Sequence, residues 1–431
     1  MKVLVLGSGA REHALAHALA QSRLAPEVWV APGHDAMNDV ARSVPMPLDD
    51  LEALADFAAR EDFAITIAGS EDPLVRGVWD AFDRRGLRLF GPSASAARLE
   101  GSKRFAKEFM QRAGIPTAAA SVFDDFDQAR AALAHQKYPL VVKADGLAAG
   151  KGVHIVRTPA EAEASLRAML VEGRYGDAGG CVLLEDCLRG PEVSVFALSD
   201  GFTYRILGVA RDHKRAYDGD AGPNTGGMGA FTPVADVTPA LLDRIAQTIL
   251  APTFAALVDE GTPYRGVLYA GLMLTADGPS VLEYNCRLGD PEAQVVLPCI
   301  DGDFLRLALA ACDEDLGAEP APRIAGAAVG VVLASQGYPD APRTGVPVTG
   351  LEAARALGAH VYLAGVRQTP NGLVTSGGRI ATVVGTGDDL ATARRVAYDA
   401  VSALQVEGAF YRRDIARVTS EATWVDRASA S

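Results

Sequence analysis

The chain has 431 residues, 49% hydrophobic and 22% charged, which gives room for about two to four globular domains and excludes a disordered chain. Its net charge of −13 argues against nucleic acid as the main ligand, so any anion must be held by local clusters of Lys and Arg. Five cysteines without a Cys-x-x-Cys pair suggest a reduced, cytoplasmic setting; the opening apolar run is too short for a signal segment, and no uninterrupted apolar stretch reaches a membrane span.

In chain order, Lys2–Leu6 reads as a buried strand, followed by Gly7-Ser8-Gly9-Ala10-Arg11-Glu12 and an Ala/Leu-rich helix to about Gln21. Strands are expected at Val28–Ala31, Ala64–Ala68 and Arg88–Phe90, with helices at Leu51–Glu61 and Leu74–Arg85. This alternation predicts a doubly wound parallel α/β sheet ending near residue 100. The first glycine loop invites a dinucleotide-binding reading, but Glu12 stands where a small residue lets the helix pack, and the second strand ends without an acidic residue. The loop still offers N–H groups to a phosphate at a helix N-terminus, with Arg11 beside it. Glu71 and Asp72 follow the third strand on the ligand side of the sheet, or they simply complement the helix dipole. His13 and His17 lie one turn apart without a third ligand, so a metal there is not expected.

Ser102–Ala113 is a helix, and Val122–Val193 reads as a compact α+β module with a helix at Pro159–Glu172 and a strand at Cys181–Asp186. Within it, Leu140–Val153 is a strand, a glycine-rich loop and the start of a second strand, built around Lys143 and Lys151. Gly146, Gly150 and Gly152 let backbone N–H groups approach a polyphosphate; the bland alternative is a glycine-rich turn with two surface lysines. Glu185 and Glu192 bracket a hinge whose backbone can read an adenine edge, with Glu192 on ribose hydroxyls. Strands follow at Val195–Leu198, Gly266–Thr275 and Ser280–Asn285. Arg211-Asp212-His213-Lys214-Arg215 is a dense charged cluster, and Gly222–Gly229 a second glycine loop that reads as a lid over reacting phosphates. Glu283, Asn285 and Arg287 share one strand face. A carboxylate and an amide oxygen suit Mg²⁺, and the Arg287 fork suits a carboxylate or phosphoryl oxygen; an exposed edge face is the alternative. Residues 314–323 read as a polar linker, and a β-rich domain with a closing helix at Leu390–Leu404 follows.

Two lysines on a strand–loop hairpin, an acidic hinge and Glu-x-Asn-x-Arg on a later strand resemble the ATP-grasp carboxylate–amine ligases. Gly7–His13 (GSGAREH), Gly101-Ser102-Lys103, Lys143–Val153 (KADGLAAGKGV), Asp212–Arg215 (DHKR), Gly222–Gly229 (GPNTGGMG) and Glu283–Glu292 (EYNCRLGDPE) are similar to the phosphoribosylamine–glycine ligase family within that class. Gly345, Ser376–Arg379 and Arg412–Ile415 extend the resemblance over essentially the whole chain. It implies an ATP-grasp fold: an N-terminal α/β domain (1–101), a central domain (102–121 and 193–324), a mobile lid (122–192) and a C-terminal β-rich domain (325–431). The implied reaction joins glycine to 5-phosphoribosylamine through a glycyl phosphate, in purine biosynthesis. It implies ATP bound by Lys103, Lys143, Gly146, Gly150, Lys151 and Gly152, adenine framed by Glu185 and Leu188, and ribose held by Glu192. Glu283 and Asn285 would hold Mg²⁺ or Mn²⁺, with Lys143, Arg287 and Asp212 catalytic. Glycine would lie at Asp212, Thr225, Gly226, Gly227 and Met228, Arg287 would stabilise the transferred phosphoryl or the glycine carboxylate, Lys214 would bind substrate, and phosphoribosylamine would lie at Gly9, Arg11, Glu71 and Arg379.

Three segments depart from the family's common pattern. Ser8-Gly9-Ala10 stands where Asn-Gly-Gly is frequent, and Ser70-Glu71-Asp72 where Pro-Glu-Ala is frequent. Tyr269–Leu274 carries no carboxylate where many ATP-grasp relatives place a metal ligand, so a second tightly held metal is not supported. A purine-pathway carboxylase or formate-using transformylase is the runner-up, and a nucleotide sensor without turnover the reading from another class. A cytoplasmic, monofunctional monomer is expected, with no nucleic-acid or membrane partner.

Overall fold

The computed structural model describes residues 1–148 and 151–417. Lys2–Gly7 is the centre of a five-stranded parallel sheet, flanked by Glu27–Pro32 and Arg42–Ser43 on one side and Phe63–Ala68 and Leu89–Phe90 on the other. Leu4 and Leu6 enter one apolar cluster and Val3 and Val5 another, so the sheet is covered on both faces. That burial explains why its strands are unbroken apolar runs. Arg42–Ser43 was not anticipated, because two polar residues carry no periodic signal. The expected helix over 74–85 is two short ones, Glu71–Val75 and Val78–Asp83, broken where Gly77 turns left-handed (φ +91°).

The module near 122–192 is a four-stranded antiparallel sheet in the order Ala120–Phe123, Val182–Asp186, Leu140–Ala144, Val153–Val156. Helices Phe126–Ala132 and Pro159–Leu166 cover it, the latter loosening into wider turns over Arg167–Val171. It has its own small core of Leu140, Val142, Ala144, Val156, Leu166, Val182 and Leu184.

The largest sheet has eight strands: Gly278–Asn285, Arg265–Thr275, Glu192–Asp200, Tyr204–Asp212, Gly229–Thr232, Ala327–Ala334, Arg379–Gly387 and His360–Leu363. Ala327–Ala334, expected to open a separate domain, pairs antiparallel with Gly229–Thr232, so one sheet runs through both regions. The helical stretch Pro239–Asp259 was also not foreseen, and by length and composition it is apolar enough to span a membrane. Its Ile245, Ile249, Leu250, Phe254 and Leu257 are buried in the core beside the central strands.

Candidate functional site

The hairpin brings its lysine onto the central sheet. Lys143 ends the run Leu140-Val141-Val142, is buried, and donates to the Leu282 carbonyl at 3.2 Å. It pairs with Glu185 at 2.8 Å, and Glu185 lies 3.3 Å from Lys107. The Glu185 carboxylate is therefore held between two buried lysines. Lys107 was not picked out from sequence, because a lysine inside an amphipathic helix reads as surface; burial lowers its pKa.

Lys103 opens the helix Lys103–Arg112, whose Ser102 cap accepts from Phe105 N at 3.0 Å. Its ammonium donates to the Gly146 carbonyl at 2.9 Å. Asp145 ties the hairpin loop to this helix: it accepts from Ser102 Oγ at 3.0 Å and from the Arg104 amide at 2.7 Å. Lys151 is exposed beside buried Gly152, whereas Gly150 lies outside the described residues.

Glu283 and Asn285 are half-buried on the strand Gly278–Asn285, opposite Gly271 and Tyr269. Burial would raise the Glu283 carboxyl, but Lys214, Lys143, Lys103 and Arg287 together hold it below its ordinary value. Its carboxylate is thus ionised. Among the described residues no three of His, Cys, Asp and Glu form a cation cage, so an ion here needs oxygens from outside the protein. That fits Mg²⁺ or Mn²⁺ carried in with phosphates.

Arg287 spreads its fork between Glu71 Oε2 at 3.0 Å and Glu100 Oε1 at 2.8 Å. Glu100 also accepts from the Cys286 amide at 2.6 Å and is buried, which raises its pKa. Burial acts in the same direction on Glu71, but Arg287 and Arg11 bring it down to about 2. Arg11 is buried too, 2.7 Å from Glu12 and 3.7 Å from Glu71. Glu12 closes the first glycine loop by accepting from Gly9 N at 2.6 Å. The expected anion cradle at this helix N-terminus thus already holds an internal carboxylate, and a Cβ on Gly69 would come within 2.5 Å of it.

Asp212 and Lys214 alternate with His213 and face Glu192 and Glu292. Lys214 is ion-paired with Glu192, the residue expected on ribose hydroxyls. Burial pushes Asp212 well above the usual carboxylate range; Lys214 opposes this, while Glu292 and Glu192 add to it. Glu292 is itself buried and accepts from Ser194 Oγ at 3.3 Å.

The loop Thr225–Met228 is a wall rather than the expected lid. Thr225 N and Oγ1 both donate to the Lys214 carbonyl, at 2.8 and 2.9 Å. Gly226 N donates to Tyr338 Oη at 3.0 Å, and Met228 is fully buried. Arg379 clasps the wall from the C-terminal region, donating to Gly226 O at 2.6 Å, Asp290 O at 2.9 Å and Asp290 Oδ2 at 2.8 Å. Arg379 and Gly9, 370 residues apart in sequence, line one open cleft of about 460 Å³ together with Ser8, His34, Asp290 and Ser376. Arg11 and Glu71 are not among its lining residues.

A hairpin that lowers a lysine onto a strand bearing a carboxylate and an amide, with a guanidinium two residues past the strand's end, is the arrangement of the ATP-grasp class. The biotin carboxylase domain of Hydrogenobacter thermophilus 2-oxoglutarate carboxylase has this fold, with a TM-score of 0.70 at 20% identity over 95% of this chain and 91% of its own. The chain belongs to the phosphoribosylglycinamide synthetase family: it matches that family's N domain over residues 1–100, its ATP-grasp (A) domain over 101–293 and its C domain over 328–418. The phosphoribosylamine–glycine ligase of Allochromatium vinosum is 49% identical to it over 96% of this chain and 98% of its own, and that of Ralstonia nicotianae 46% over 96% and 98%. The crystal structure of the Thermotoga maritima phosphoribosylamine–glycine ligase superposes with a TM-score of 0.85 at 35% identity, covering 96% of this chain and 100% of that one.

Proposed function

We infer that the chain is an ATP-dependent phosphoribosylamine–glycine ligase of purine biosynthesis, giving glycinamide ribonucleotide, ADP and phosphate. The observation that carries the reading is the set of cations, Lys103, Lys143, Lys214 and Arg287, around the ionised Glu283, with Lys143 bonded to the Leu282 carbonyl of the same strand. Phosphoryl transfer asks a protein for positioning and charge neutralisation, and this face supplies both.

In the proposed assignment Lys103, Lys143 and Lys151 take the ATP phosphates, with backbone N–H groups of the loop at Gly146, Gly150 and Gly152. Leu188 and the hinge after Glu185 frame adenine; Glu192 exchanges Lys214 for ribose. Glu283 and Asn285 hold Mg²⁺ or Mn²⁺, which supplies charge neutralisation across the phosphates when bound. Glycine lies between Arg287, Asp212 with Lys214, and the Thr225–Met228 wall. Its carboxylate oxygen attacks the γ-phosphorus and ADP leaves. The amine of 5-phosphoribosylamine, seated in the cleft of Gly9 and Arg379, then attacks the acyl carbon; phosphate leaves and the nitrogen sheds a proton. Arg11 and Glu71 support that cleft from behind.

We assign 1–101 and 325–431 to the phosphoribosylamine side, 102–121 and 193–324 to the central domain and 122–192 to the lid. The lid's separate core supports its moving as a unit, which would shield the acyl phosphate from water. A cytoplasmic monomer without nucleic-acid or membrane partners completes the reading. ADP release by purified protein with Mg²⁺, ATP and phosphoribosylamine is expected only when glycine is added; ADP formation indifferent to glycine would overturn the assignment.

A further inference from the structure

The C-terminal motif Arg412-Arg413-Asp414-Ile415 has no place in the chemistry above, yet it contains the largest fully buried side chain among the described residues. Arg412, with its side chain 1% exposed, meets Asp414 through Nε at 2.8 Å and Nη2 at 2.7 Å. Its Nη1 turns the other way, to Asp220 Oδ1 at 2.8 Å and the Arg215 carbonyl at 3.0 Å. Both belong to the hairpin Arg215–Tyr217 and Ala221–Asn224, which leads directly into Thr225–Met228. Two further bonds fasten the same hairpin: Gly219 N to Asp414 at 2.8 Å, and Arg413 N to Asp218 at 2.7 Å. The motif is itself anchored to the helix Leu390–Ala403, where Tyr398 Oη donates to Arg412 O at 2.8 Å and Arg394 Nη2 to Arg413 O at 2.7 Å.

Asp220, itself exposed at the hairpin turn, also faces His213. Its Oδ1 lies 4.0 Å from His213 Nδ1. His213 is held in the sheet by its amide on Gly229 O at 2.9 Å and by its carbonyl, which accepts from Met228 N at 2.8 Å. Successive side chains of an extended segment point to opposite faces, so a fixed His213 fixes Asp212 and Lys214 on the other side. An arginine this enclosed is costly to bury without partners and is highly directional once paired, which suits a brace.

We propose that Arg412 is a positioning residue for the glycine site, acting through Asp220 and the Arg215 carbonyl to set both the Asp212–Lys214 segment and the Thr225–Met228 wall. The proposal rests on the assignment of glycine to those residues. Asp220→Asn keeps the size of the side chain and leaves the Arg412–Asp414 pair in place, so it perturbs the brace with little risk to folding; Arg412→Lys is its companion.

The test is steady-state kinetics of the full chain with each substrate varied, alongside melting curves, for Asp220→Asn, Arg412→Lys and Asp212→Asn. Asp220→Asn is expected to raise KM for glycine about tenfold, with KM for ATP and the melting temperature close to those of the unaltered chain. Arg412→Lys, which keeps the charge and loses the fork to Asp220, Asp414 and the Arg215 carbonyl, is expected to raise KM for glycine at least as far as Asp220→Asn. A glycine KM unchanged in Asp220→Asn but raised in Asp212→Asn overturns the brace and leaves the glycine site standing. A glycine KM unchanged in Asp212→Asn overturns the glycine site, and the brace with it. A parallel loss of stability and of affinity for all three substrates in Asp220→Asn makes Arg412 a plain structural arginine and overturns the proposal.

Discussion

Burial favours the protonated form of the Glu283 carboxyl, and the four cations around it outweigh that and keep it ionised. Replacing it by alanine removes a proposed metal ligand and the charge that balances those cations. Glu283→Ala is expected to abolish metal-dependent turnover, measured as ADP release across an Mg²⁺ titration. Arg11 leads to a different expectation, because it is buried against Glu12 and Glu71 rather than open to the cleft. Arg11→Ala should cost about 3–5 kcal/mol of stability in denaturant melts, since it strands buried carboxylates. A folded, equally stable variant with only a higher KM for phosphoribosylamine would instead put Arg11 on the substrate. Lys143, Glu283, Asn285 and Arg287 were legible because a strand's alternation alone places three of them on one face and glycines mark the fourth. Glu100, Lys107 and Glu292 were not legible: each is a charged residue with an ordinary helical surroundings pattern, and its burial depends on a partner from a distant element.

At the scale of elements, glycine loops that look alike in sequence do different work. Gly7–Glu12 is closed on its own carboxylate, while Thr225–Met228 is laced to Lys214, Tyr338 and Arg379. Composition alone suggested an anion cradle and a lid, because it does not record hydrogen bonds made across the fold. Gly227 shows how tightly the wall is set: its φ is +108°, and an added Cβ would collide with Pro291. Gly227→Ala should displace the wall from Asp290–Pro291 and, at a cost of about 1.4 kcal/mol in glycine binding, raise KM for glycine about tenfold. KM for ATP is the control and should stay within about twofold, since RT ln 2 is only about 0.4 kcal/mol. The strands expected at Lys2–Leu6, Val28–Ala31, Ala64–Ala68 and Ser280–Asn285 fall within a few residues of their places, whereas Tyr204–Asp212, Gly229–Thr232, Arg379–Gly387 and the capped helix Phe304–Cys312 were not anticipated. Pro239–Asp259 was missed, because a mostly apolar stretch has little helical contrast to read.

At the scale of the whole molecule, the junction between the N-terminal sheet and the strand His360–Leu363 is lined with histidines. His17 lies 5.0 Å from the His360 ring, His13 accepts from Leu363 N at 3.0 Å, and His34 is 3.4 Å from the Leu363 carbonyl. Burial, with the like charges of His360 and His13, brings His17 down to about 4. The folded chain therefore keeps it neutral where the unfolded chain takes up a proton. Its stabilising contribution is complete above the ordinary histidine value of about 6.5 and is lost as pH falls from there toward about 4. The melting temperature should decline across that window, and His17→Gln should flatten the decline in scanning calorimetry; an unaltered slope would remove His17 from the account. None of this was legible in sequence, where His13 and His17 raised only the question of a metal. The unbroken eight-stranded sheet was equally hidden, since the pairing of Gly229–Thr232 with Ala327–Ala334 joins strands about a hundred residues apart. A chain severed between Ile324 and Ala327 would not release two self-sufficient pieces. Each fragment would carry a raw hydrogen-bonding border, adhesive toward its counterpart and toward copies of itself. Gene fission at that point would succeed only where both halves are made together, in matching amounts, so that each border finds its complement first.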